Sequence, residues 1–122
     1  KERNLLKFLI DFLLQKFYIK NMITRAQYMN NEVTHRQFYG QFVTPELKQV
    51  VSNTFGKEIL AQCLEKDQNL NNIPLAIWDG LAGGYESQLY ADKLRLVGDG
   101  PSLAGAVCIL KEAAKQVVEE NS

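Results

Sequence analysis

Toward the end of the chain Leu103, Val107, Leu110, Ala114 and Val117 recur at alternating spacings of four and three, with Ala106 and Ala113 beside them. That spacing gathers side chains onto one stripe of an α-helix, whereas a β-strand would scatter them over both faces. An apolar stripe makes a helix stable only when something covers it, so the rest of the chain must supply the cover. Strand-like alternation is nearly absent elsewhere, and short helical patterns alternate with turn signals. The expected fold is all-α: a compact bundle of about five to seven short-to-medium helices, with an apolar N-terminal helix and a long C-terminal one.

The helix starts can be read from their caps. Thr24 precedes RAQYMNN, which Asn30 and Asn31 end, and Thr34 precedes HRQFYGQF; both hydroxyls suit the orphan amides of a first turn. Thr44 followed by Pro45 and Glu46 combines a cap, a pre-set φ and an acid in the first turn. Leu47, Val50, Val51 and Phe55 then share a face, and Gly56 breaks that helix. A further helix runs from Lys57 to Lys66 through Ile59, Leu60, Cys63 and Leu64, followed by the polar connection DQNLNN. Pro74 opens a short helix carrying Leu75, Trp78 and Leu81, closed by Gly83 and Gly84. Tyr85 to Val97 reads as helix through Leu89, Tyr90 and Leu94, and GDGPS, residues 98–102, is the clearest turn.

At 122 residues and 46% hydrophobic content, the chain suffices for one core and not for two. Two parts are expected: an apolar helix over residues 1–21, and a single helical domain over 22–122. In the first part Lys7, Asp11 and Lys16 interrupt the apolar run, which argues against a transmembrane span, and no small-residue cleavage site marks a signal peptide. Charges at positions 3, 7 and 11 form a narrow polar line, leaving a wide apolar face that carries Phe8, Phe12 and Phe17. Such a face must be buried against the domain, a second copy or a membrane surface. Met22 has the look of a protein start, so the first 21 residues are readable as an appended segment.

Fourteen basic and fourteen acidic residues cancel, which removes the global pull toward polyanions. The first 25 residues hold six basic against two acidic side chains. That excess reads as the solvated edge of a helix, with a basic arm as the alternative. Cys63 and Cys108 show neither CxxC spacing nor a neighbouring His; two buried, reduced thiols in a cytoplasmic protein are expected.

No catalytic signature emerges. His35 is the single histidine, no GxSxG elbow is present, and Glu58 with Glu65 and Glu112 with Glu119 are seven apart rather than three or four. No HExxH or DxDxDG pattern occurs, and neither a metal nor a cofactor is expected. Three binding readings compete with plain structural ones. The 95–102 turn can offer amides around Gly98, Gly100 and Ser102, with Arg95 nearby, to a phosphorylated ligand or nucleotide; Asp99 and Pro101 oppose this, and an ordinary turn capped by Ser102 is the simpler reading. The pair Thr24–Val33 and Thr34–Phe42 can be a helix-turn-helix that binds DNA through residues 34–41, with His35, Arg36 and Gln37 reading base edges, or simply a helical hairpin. Tyr28, Phe38, Tyr39 and Phe42 fit a core, and Trp78 fits a core or an interface anchor.

ITRAQYMNNEVTHRQFYGQFV, NIPLAIWDGLA and SLAGAVCILKEAAKQ together resemble a family of short hypothetical proteins encoded by bacteriophages and prophages, over roughly residues 22–118. The resemblance implies expression in a bacterial cytoplasm during infection, where such proteins act by binding a host enzyme, a defence factor or a signalling nucleotide. It carries over no functional residues. The leading expectation is a non-enzymatic accessory or regulatory protein working through protein contacts, as a homo-oligomer or in a larger assembly, with Phe8, Phe12, Phe17 and Trp78 as interface candidates. A nucleotide-binding module and a DNA-binding protein are the alternatives.

Overall fold

The computed structural model describes residues 6, 9, 22–85, 97–98 and 102–121. Within them the chain forms six helices and no strand: α1 (Arg25–Met29), α2 (His35–Gly40), α3 (Pro45–Phe55), α4 (Lys57–Lys66), α5 (Leu75–Gly84) and α6 (Leu103–Glu120). The all-α bundle with a long C-terminal helix is as expected. The helix expected through Leu89, Tyr90 and Leu94 lies outside the described residues, as does most of the expected N-terminal helix, of which Leu6 and Leu9 are helical and exposed.

Local chemistry sets four of the six starts. Thr24 accepts from the Gln27 amide while Gln27 Oε1 accepts from the Thr24 amide at 2.8 Å, and Thr34 and Gln37 repeat the arrangement. Each pair satisfies two orphan donors reciprocally. Thr44 caps α3 through the Leu47 amide with Pro45 at the first helical position, and Ser102 caps α6 through the Gly105 amide. Gly56 both ends α3 and begins α4, at φ 86°, a backbone conformation that glycine adopts without a Cβ penalty.

Helices α2, α3, α4 and α5 all pack on α6, while α1 leans on α2 and α3 on α4. The buried residues of α6 are Gly105, Ala106, Val107, Ile109, Leu110, Glu112, Ala113, Ala114 and Val117. At 100° per residue they cover about 220° of its circumference, far more than a stripe. Glycine and alanine at four of these positions let neighbouring backbones come close. Leu103 departs from the expectation: at the first position of the helix, ahead of the covered stretch, it is 46% exposed.

The cover consists of Phe38 and Phe42 from α2 and its exit, Leu47 and Val51 from α3, Leu60 from α4, and Trp78 with Ala82 from α5. On α5 the buried pair is therefore spaced i, i+4, and Leu75, expected on that face, is 63% exposed. Ile59 likewise turns outward while Leu60 turns in. Cys63 and Cys108 are free thiols, half-buried rather than buried. Between α4 and α5, Asp67 accepts from the amides of Asn69 and Asn71, a turn that holds Leu70 at φ 56° with its side chain in the core. A non-glycine residue there costs about 1 kcal/mol, which the burial of a leucine side chain offsets.

Candidate functional site

Of the expected phosphate site, Arg95 and Gly100 lie outside the described residues. Gly98 adopts φ 90°, and Val97 is buried, its carbonyl accepting from the Arg25 amide at 3.0 Å. Ser102 spends its hydroxyl oxygen on the Gly105 amide at 3.2 Å. The described part of this turn thus ties the start of α1 and caps α6.

The expected base-reading residues are exposed on the first turn of α2, and each already has a partner in the fold. Gln37 closes the cap of α2, Arg36 forms an ion pair with Glu119 of α6, and the ring of His35 meets the Tyr28 hydroxyl at 3.0 Å. Helix α1 has five residues and α2 has six, and Phe38 sits wholly buried against the bundle. Gln41, just past α2, grips the backbone of Ile23 through both of its amide atoms. These contacts fit the simpler of the two readings, a helical hairpin, with the exposed polar side chains of α2 bonded to α1, α6 and its own cap. The aromatic cluster is a packing unit, with Tyr28 stacked on Phe38 at 5.0 Å and Phe38 edge-on to Tyr39 and Phe42.

Where α2 crosses α6 there is a polar seam. Glu112 is 1% exposed; Oε1 accepts from Lys115 Nζ at 3.2 Å, and Oε2 has no hydrogen-bond partner among the described residues. Removal of water from the His35 ring pushes its pKa below the ordinary value, against the pull of the Glu112 carboxylate and with help from Lys115 and Lys111. Burial pushes the Cys108 thiol up, so it stays protonated at neutral pH, the reverse of an activated nucleophile. The sequence does carry a trace of the seam. Gly105, Ile109, Glu112, Gln116 and Glu119 follow a line of spacings four, three, four and three along α6, and α2 reaches that line through Arg36 at Glu119 and Gly40 near Gln116. Among the described residues no group of His, Cys, Asp and Glu is suited to hold a metal ion.

Two further features lie on the surface of the described residues. A groove of about 260 Å³ runs between α3, the start of α4 and the end of α6, with Lys48, Ser52, Lys57, Val117, Glu120 and Asn121 in its walls. Lys48 pairs with Glu120 at 2.7 Å, and Lys57 donates to Asn121 at 3.4 Å. The second feature is the outer face of α5. Ala76, Ile77, Gly80, Gly83 and Gly84 are exposed, and a Cβ on any of these three glycines would meet nothing within 4 Å among the described residues.

Of the expected interface residues, Phe8, Phe12 and Phe17 lie outside the described residues. Trp78, expected as a core or an interface anchor, takes the core position: it is fully buried, with its ring 5.0 Å from Phe55. Its spacing to Ala82 puts it on the face of α5 turned to the bundle. Its indole N–H finds no acceptor among the described residues. Among the described residues, no helix is long and apolar enough to cross a membrane. No protein-family model matches the chain, and no curated protein or solved structure matches it either.

Proposed function

We propose that the protein is a non-enzymatic binding module that works through protein–protein contacts, and that the outer face of α5 makes the contact, with a second copy of the chain as the partner. The observation that carries this reading is the composition of that face. Ala76, Gly80 and Gly83 lie opposite Trp78, flanked by Ile77 and Gly84, and Asp79 is the one charged residue in the helix. A glycine in a helix interior costs about 1 kcal/mol relative to alanine. Nothing within the described residues comes close enough to Gly80 to need the missing side chain. A partner helix laid along this face would need it, since the absence of Cβ atoms lets two backbones approach closely. The resemblance to phage-encoded proteins supplies a context for an accessory or regulatory protein of this type, in which a host or defence factor can take the place of the second copy.

Sedimentation of the purified chain at micromolar concentration tests the proposal. The expected result is a dimer or larger species that Gly80→Arg converts to a monomer with an unchanged helical circular dichroism spectrum. A wild-type chain that stays monomeric throughout the micromolar range removes the support for α5 as a self-association surface.

A further inference from the structure

We draw no further inference here: the strongest candidate, the groove between α3, the start of α4 and the end of α6, brings Lys48 and Lys57 beside Ser52, but Glu120 and Asn121 already hold both ammonium groups and no second observation points to a ligand.

Discussion

The Tyr28 hydroxyl lies 3.0 Å from Nδ1 of His35, joining α1 to α2 at the edge of the bundle. That geometry suits a neutral imidazole with its proton on Nε2, so that Nδ1 accepts from the hydroxyl. His35 also packs on the Tyr39 ring at 4.7 Å.

A pH dependence follows from the lowered His35 pKa. The unfolded chain takes up this proton near pH 6.5, at about the ordinary imidazole value, whereas the folded chain takes it up only at lower pH. The unfolded state therefore binds more protons in between, and the stability that is complete above the ordinary value declines as pH falls through it. An NMR titration of the single histidine should give a midpoint below that of a free imidazole. Tm should fall as pH drops through the ordinary imidazole value toward the lower folded-state one, and His35→Gln should flatten that slope. A midpoint above the ordinary value would instead place the Glu112 carboxylate in control of the ring.

Glu112 and Lys115 should respond unequally to removal. Glu112→Met replaces a buried carboxylate with an apolar side chain of similar volume, and the released Lys115, which is part-exposed, can reach water. The expected change is neutral to stabilising by about 1 kcal/mol. Lys115→Met leaves the Glu112 charge buried without its counter-charge and should cost about 3 kcal/mol. Urea unfolding of the two variants reads the difference; equal losses would show that the seam contributes stability as a pair.

Gly56 and Gly80 both face open space among the described residues, yet alanine should act oppositely at the two. At Gly56, with φ 86°, a Cβ is strained by the backbone itself, and Gly56→Ala should cost about 1 kcal/mol. At Gly80 the backbone is helical and the substitution should stabilise by about 1 kcal/mol. If α5 is the contact proposed above, Gly80→Ala gains stability while weakening self-association, so thermal melts and sedimentation on the same sample should move in opposite directions.

Trp78 is the one tryptophan and is fully buried beside Phe55. Its native fluorescence should be blue-shifted and should move to the red on unfolding. Trp78→Ala removes a large side chain where α5 packs on α6 and should cost about 3–5 kcal/mol, a large share of the stability of a domain this size. Denaturant unfolding followed by circular dichroism measures it; a loss below about 1 kcal/mol would contradict the core placement.

Sequence reading recovers what is local and loses what depends on neighbours. Thr24, Thr34, Thr44 and Ser102 were legible as caps because a cap is an interaction within one turn. Gln37 shows the limit: its chemistry allows both base reading and capping, and the Thr34 three residues before it favours the cap. Leu75 and Leu103 fit helical periodicity but stand at the first position of their helices, where the bundle gives no cover. Periodicity records which face is apolar and not how far along the face the packing extends. Glu112 was read as a charge seven residues from Glu119, and its burial arises because α2, about seventy residues earlier in sequence, crosses α6 there. Gly83 and Gly84 read as the end of α5, and only the three-dimensional surroundings show that Gly80, inside the helix, faces open space among the described residues.

The wrapped position of α6 also sets an order of assembly. In chain order it follows all four helices that pack on it, so a ribosome has made α2 to α5 before the element that shields their apolar sides exists. Until residues 103–120 emerge, Phe38, Val51, Leu60 and Trp78 lack much of the surface they pack on, and the nascent chain holds only local turns, such as the two threonine–glutamine caps, and contacts between neighbouring helices. The final closure is therefore a single late event spanning most of the sequence, the stage at which the chain is most exposed to chaperones and proteases.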